Sequence, residues 1–286
     1  MNRVVVRVLN KLRLLPRLSV VTKVRLLGSE YRIPVINRVG LANIFPKTDW
    51  LSDLVKKMQV DERTIFLDVG VNIGQTILQV KAIYPKIRYI GFEPNSVCVA
   101  YLNHLVTLNG LRNITIIPIG LGDQPGLQLL NKMSATDSGA SVIQAAGRDL
   151  KEVIPVFSLD SIYQKLELNS SRVIMKIDVE GYELEALRGM KEFLKEVRPT
   201  IIIEILDALH KDDLENKQER NDAVFKLVSS LEYRAYRLIK NSEVNRVQAL
   251  EAVTEITTVV MNKTKYNLHD YLFIPREHEP PKIGQQ

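Results

Sequence analysis

The residues able to do chemistry in this 286-residue chain gather where short apolar runs stop. The run Thr64-Ile65-Phe66-Leu67 passes into Asp68-Val69-Gly70-Val71-Asn72-Ile73-Gly74. Glycine at 70 and 74 allows a sharp turn and close approach of a ligand to the main chain, and a helix opening directly afterwards offers free N–H groups. A dinucleotide fingerprint would have glycine where Asn72 and Gln75 stand. Asp68 would repel a pyrophosphate but can hold the ammonium of an amino-acid moiety. Glu93, 25 positions further on, stands in Gly91-Phe92-Glu93-Pro94-Asn95 at the next strand tip. There it can accept hydrogen bonds from both ribose hydroxyls, and Asn95 joins it as a cofactor contact. The pair of tips fits an adenosine ligand, either NAD or adenosylmethionine.

Two further tips add carboxylates. Gly120-Leu121-Gly122-Asp123 places Asp123 within reach of an adenine amino group, and Lys176-Ile177 delivers Asp178-Val179-Glu180-Gly181-Tyr182-Glu183. Three carboxylates in six residues are costly to gather unless they are solvated, paired with cations or capping a helix. Glu183 suits the helix start, which leaves Asp178 and Glu180 as the functional pair. Asp178 and Glu204 end neighbouring strands and could share a divalent cation. No further matched oxygen ligand accompanies them and no zinc-type His/Cys spacing occurs, so no metal is assigned.

The stretches DVGVNIGQT, IGFEPN, LGD, SLDSI, IMKIDVEGYELEALRGM and DYLFIP resemble the FkbM family of methyltransferases, over about residues 31–275. The resemblance implies a class I, Rossmann-like α/β fold, with a seven-stranded, mostly parallel sheet whose last strand is antiparallel. It implies S-adenosyl-L-methionine as methyl donor, held by Asp68, Gly70, Asn72 and Gly74, with Glu93 on the ribose and Asp123 near the adenine. It further implies O-methylation of a sugar, glycan or natural-product hydroxyl. Such a reaction asks the protein to align the acceptor oxygen and take its proton; Asp178 is the first candidate base, with Glu180 and Glu204 behind it. Two rivals stand beside this reading: a nicotinamide-dependent oxidoreductase, and a nucleotide-binding partner protein without catalysis.

The elements that must position these residues alternate in the way of a parallel sheet wrapped by helices. Strands are expected at 64–69, 87–92, 113–119, 172–177, 199–205, 233–238 and 270–274, and helices at 75–83, 96–109, 159–166, 183–194 and 218–230. Together they form a catalytic domain over 60–276. The Gly- and Ser-rich stretch 122–155 breaks the rhythm and reads as an inserted hairpin and loop, a candidate substrate lid through Ser138, Gly139 and Ser141. Residues 277–286 read as a flexible tail.

Residues 1–59 form a separate N-terminal segment, with Ile33-Pro34-Val35 as a short strand and 49–58 as a short helix. Its first 30 residues hold seven basic side chains against Glu30, which accounts for the whole net charge of +6. The remaining body is neutral, so no nucleic-acid partner is expected. Val4, Val5, Val8, Leu9, Leu12 and Leu15 recur at helical spacing among these cations. Two fates fit such a helix: packing on the body or a second copy, and docking of residues 1–25 on an anionic membrane surface. No apolar run there is long enough for a secretory signal or a span, and the lone Cys98 reads as a packed thiol. The expectation is a cytoplasmic protein, peripheral at the inner membrane face if the arm docks. The acceptor and the oligomeric state are left open.

Overall fold

A computed structural model describes residues 3–12, 14–15, 18–45, 50–58, 60–132, 141–142, 150–168, 172–243, 245–260 and 269–283. Helix α1 (Arg3–Lys11) precedes a hairpin of β1 (Ser19–Leu26) and β2 (Ser29–Ile36), then short helices α2 (Leu41–Ile44) and α3 (Trp50–Lys57). The core follows as β3 (Ile65–Val69), α4 (Gln75–Ile83), β4 (Arg88–Phe92), α5 (Ser96–Leu108) and β5 (Ile114–Ile117). An inserted group comes next: β6 (Gly120–Leu121), β7 (Gly126–Lys132) and β8 (Leu150–Phe157). The chain closes with β9 (Val173–Ile177), α6 (Glu183–Arg188), α7 (Lys191–Val197), β10 (Thr200–Glu204), α8 (Leu214–Ser230), β11 (Tyr233–Lys240), β12 (Val247–Val253) and β13 (Asp270–Pro275).

The main sheet has the order β12-β11-β13-β10-β9-β3-β4-β5. Strands β10, β9, β3, β4 and β5 pair in parallel, while β13 runs antiparallel to both its neighbours. This is the expected α/β architecture with its seven strands. The eighth, β12, extends it antiparallel to β11. It escapes a reading by pattern because Val-Gln-Ala-Leu-Glu-Ala-Val is rich in helix formers, and as an edge strand it buries only Val247.

Side-chain alternation divides the core. Leu67, Met175, Ile177 and Ile203 face Leu187, Phe193 and Val228 of α6–α8, whereas Phe66, Ile174, Ile202 and Leu272 face Leu54, Ile77 and Leu102 of α3–α5. A further layer lies outside α4 and α5. Leu78, Cys98 and Leu105 carry the β1–β2 hairpin through Val24, Ile33 and Val35, and α1 joins through Val6. So α1 does pack on the body. The hairpin, of which only residues 33–35 are read from sequence, turns through Leu27 (φ 50) and Gly28 (φ 88), the left-handed pair that suits two-residue hairpins.

Three further elements depart from expectation. The helix expected at 159–166 is a single 3-10 turn at Leu159–Ser161. The helix expected at 183–194 divides at Gly189, where a Cβ would lie 2.2 Å from the Gly122 carbonyl oxygen. The Asp160 carboxylate then caps α7 by accepting from the Phe193 N–H at 2.8 Å. In the tail, the Glu277 carboxylate pairs with Arg198 at 2.7 Å and the His278 carbonyl accepts from Arg234, so these residues are tethered; 284–286 lie outside the described residues.

The insertion holds the expected hairpin, with β7 antiparallel to β8 and β6 parallel to it. Ser141 bridges to Asn131; Ser138 and Gly139 lie outside the described residues. Among the described residues no helix is long and apolar enough to cross a membrane.

Candidate active site

Parallel strands present their carboxyl ends together, and backbone hydrogen bonds fix the tips to one another. The Gly70 N–H donates to the Phe92 carbonyl at 3.0 Å, the Glu93 N–H to Ile117 at 3.1 Å and the Asp178 N–H to Val69 at 2.9 Å. A cleft opens above these tips, walled by Gly70, Asn72, Glu93, Asn95, Asp178 and Glu180. Its apolar side comes from Ile119, Leu121 and the inner face of the inserted hairpin, through Leu130, Val142 and Val156. The hairpin is tied down at two points. The Tyr182 hydroxyl bonds to Gln128 at 3.0 Å, and Glu152, paired with Lys132 at 2.5 Å, accepts from the Ser96 N–H at 3.2 Å. Its described residues form one wall of the site.

On the β3–β4 side the backbone does most of the work. Gly70 has φ 91, and a Cβ there would lie 1.9 Å from the Asp178 carbonyl oxygen, so glycine is required for the β3 tip to touch the β9 tip. Asn72 (φ 54) turns its N–H onto Glu93 Oε2 at 2.7 Å, and the Asn95 N–H donates to Glu93 Oε1 at 2.8 Å. Glu93 is buried with no cation paired to it among the described residues, and burial raises its pKa to about 7. The Asn95 carboxamide oxygen caps α5 by accepting from the Val97 N–H at 3.1 Å, while its buried Nδ2 has no partner among the described residues.

Three residues assigned to the cofactor do not line the cleft. Strand alternation turns Asp68 to the α3–α4 face, where it accepts from the Tyr89 hydroxyl and where burial raises its pKa to about 6. It supports the tips from below, outside the residues that line the cleft. Gly74 (φ 81) starts α4 and lets Leu102 and Leu105 pack against it; a Cβ would lie 2.8 Å from Leu102. Asp123 is half-buried beyond β6, outside the lining.

The β9–β10 side is dense with charge. The Lys176 ammonium donates to Asp178 Oδ2 at 2.8 Å. Burial works to raise the Asp178 pKa, but Lys176 and a hydrogen bond from Glu204 outweigh it and hold Asp178 below its ordinary value. Burial, then the charges of Asp178 and Asp270, push Glu204 up to about 10. Burial and the neighbouring carboxylates thus favour the protonated form of Glu204, and it titrates together with Asp178 as a pair. Asp270, opposite Glu204 in register, pairs with Lys240, whose ammonium lies 4.3 Å from the centre of the Trp50 ring. Asp68, Lys176, Glu204, Asp270 and Lys240 thus form a row on one face of five adjacent strands. Glu180 lines the cleft from a left-handed backbone position (φ 53), beside Gly181. Sequence reasoning passed over Lys176, Tyr182, Lys240 and Asp270; a lysine inside the apolar run Val-Ile-Met-Lys-Ile was the available signal.

These features fit an adenosine-bearing cofactor. Glu93 retains lone pairs for ribose hydroxyls, Asn95 Nδ2 is an unused donor beside it, and the Ile119–Leu121 wall offers apolar cover for a base. Among the described residues that line the cleft there is no lysine or arginine, and Lys176 beside them is paired with Asp178.

The family model described as the methyltransferase FkbM domain matches residues 68–238. Among curated proteins, Methyltransferase 1 of Beauveria bassiana is 23% identical over 164 residues, covering 51% of this chain and 66% of the relative. Methyltransferase sdnD of Sordaria araneosa is 26% identical over 170 residues, covering 48% of this chain and 64% of the relative. The chain thus spans just under two thirds of each. The crystal structure of methyltransferase FkbM from Methylobacillus flagellatus aligns over 79% of this chain and 48% of its own, at 16% identity and a TM-score of 0.47.

Proposed function

This chain belongs to the FkbM methyltransferase family, and from that premise we propose that it transfers a methyl group from S-adenosylmethionine to a hydroxyl of a sugar, glycan or natural product. The observation that carries the reading is Asp178: a carboxylate on the cleft wall, held by the Lys176 ammonium at 2.8 Å, in the same cleft as Glu93 and Asn95. When bound, adenosylmethionine supplies an electrophilic methyl group and a neutral thioether leaving group.

Asp178 orients the acceptor hydroxyl by accepting its hydrogen bond. A carboxylate of low pKa is a weak base, yet it suffices here because an alcohol oxygen forming a third bond becomes strongly acidic. Proton transfer to Asp178 then follows carbon–oxygen bond formation. Lys176 holds the carboxylate in place and keeps it ionised. Glu204 contributes as a hydrogen-bond donor, and Glu93 and Asn95 hold the cofactor's sugar. The hairpin wall excludes water, which strengthens the charge interactions inside.

Calorimetry with adenosylmethionine, adenosylhomocysteine and NAD tests the cofactor: the first two should bind and the third should not. Binding of NAD alone would sink the proposal. Mass spectrometry of glycans and metabolites from cells with and without the chain should then show O-methyl groups that depend on Asp178.

A further inference from the structure

We propose that the N-terminal layer docks on an anionic membrane surface through the outer sides of α1 and β1. Six of the twelve large hydrophobics exposed among the described residues fall between positions 5 and 21, which makes a patch and not a scatter. Val5, Val8 and Leu12 recur at helical spacing on the outer side of α1 with 44%, 49% and 61% exposure, while Val6 is fully buried against the body. Helix α1 therefore has one apolar side spent on the fold and a second that the fold leaves bare. Leu14, Leu18 and Val21 continue this surface towards β1.

Cations frame the apolar stripe. Arg7 and Lys11 are exposed on α1, with the Arg7 guanidinium 5.0 Å from the centre of the Phe45 ring. Alternation along β1 turns Lys23 and Arg25 outward between buried Thr22 and Val24, and Arg32 stands opposite Lys23 on β2. Residues 1–45 contain nine basic side chains and one acidic one, Glu30, which pairs with Lys23 at 2.7 Å. An aliphatic stripe flanked by cations matches the boundary between acyl chains and anionic headgroups.

Charge chooses the occupant. A second copy seated on this face would bring Arg7, Lys11, Lys23 and Arg25 against themselves, which like-charge repulsion opposes. A nucleic acid would satisfy the cations but leave the aliphatic stripe without a partner and finds no aromatic platform on it. The other exposed apolar group, Leu127, Leu129, Val153 and Phe157 on the inserted hairpin, has Lys151 as its one exposed cation among the described hairpin residues and serves as a control.

Co-sedimentation of the full chain with phosphatidylcholine vesicles, with and without phosphatidylglycerol, tests the proposal. Binding should require phosphatidylglycerol and weaken as salt rises. Replacing Arg7 and Lys11 by Gln should lower partitioning about fivefold per cation removed, from ~1 kcal/mol for each basic residue at such a surface. The Val5→Ser, Val8→Ser, Leu12→Ser variant should lose binding while keeping its melting temperature and cofactor affinity, since all three side chains are exposed. Leu127→Ser with Val153→Ser should bind as the wild type does. The proposal is overturned if neither vesicle binds, if both bind equally, if the triple variant binds undiminished, or if sedimentation velocity shows a dimer that this variant splits. Tighter binding to duplex RNA than to anionic vesicles at equal salt would also overturn it.

Discussion

Glu93 and Asp178 stand on facing parts of one cleft, yet the fold buries their charge in different ways. Among the described residues Glu93 has no cation paired to it, and two main-chain N–H groups hold its oxygens at 2.7 and 2.8 Å. Asp178 is gripped by Lys176, in a row that continues through Glu204 and Asp270 to Lys240. Burial consequently dominates at Glu93 and raises its pKa, whereas ion pairing dominates at Asp178 and lowers it. The first arrangement suits neutral hydroxyls; the second keeps an anion in a fixed position whatever binds above it.

The largest expected effect breaks the β9 side alone. Asp178→Asn should lower kcat by about 10²- to 10⁴-fold, the range for loss of a general base, with adenosylmethionine affinity changed little. Turnover near wild type on the native acceptor would falsify the role given to Asp178. Gly70→Ala should damage both sides together, because the new Cβ meets the Asp178 backbone and φ 91 disfavours any side chain. Calorimetry and rate should both fall; loss of only one would mean that the two tips are not joined there.

Glu93→Gln isolates the β4 side. Cofactor affinity should drop by about tenfold, equivalent to ~1.4 kcal/mol for one weakened charge-assisted hydrogen bond, with kcat on saturating cofactor nearly unchanged. Affinity of the wild type should also weaken as pH falls through about 7, as Glu93 takes a proton and presents fewer acceptor sites. A flat affinity between pH 6 and 8, at those arbitrary test points of roughly one unit either side, would count against the ribose assignment.

Glu204→Gln separates proton donation from charge. Glutamine still donates to Asp178, so turnover should survive where Asp178→Asn loses it. Stability carries the sharper signature. The folded chain holds a proton on Glu204 up to about pH 10, while its ordinary value is 4.5, so the stability it contributes is full below the lower value and is lost as pH rises through the upper one. Thermal melts of the variant should decline less between neutral and alkaline pH than those of the wild type; parallel curves would show that Glu204 is already ionised. The smallest effect belongs to Tyr182→Phe, which removes one bond to Gln128 and should cost about 0.5–1.5 kcal/mol. A modest rise in acceptor KM with unchanged cofactor affinity would place that tie on the acceptor side.

Much of the scaffold could be read along the chain. The apolar runs ending at Asp68, Glu93, Asp178 and Glu204 announced parallel strands because a strand buried on both faces reads as continuous Ile, Val, Leu and Phe. Strand β12 and the β1–β2 hairpin were less legible, since each covers only one side of another layer and its pattern is mixed. Gly74 drew a cofactor role from its motif, but its neighbours Leu102 and Leu105 come from a helix some thirty residues away in roughly the order that loop and strand lengths require.

What the sequence determined by itself is which residues end the strands, because hydrophobic periodicity and glycine placement are local properties. On that basis Glu93, Asn95, Gly70, Asn72, Asp178 and Glu180 reach one cleft. What only the tertiary structure decided is which face each side chain takes and what charge it carries there. Asp68 turns beneath the tips to meet Tyr89, and burial together with the charges of Asp178 and Asp270, which arrive from other strands, raises the pKa of Glu204. A carboxylate's pKa depends on burial and on charges a few ångströms away, and those distances are set by strand order and not by spacing along the chain.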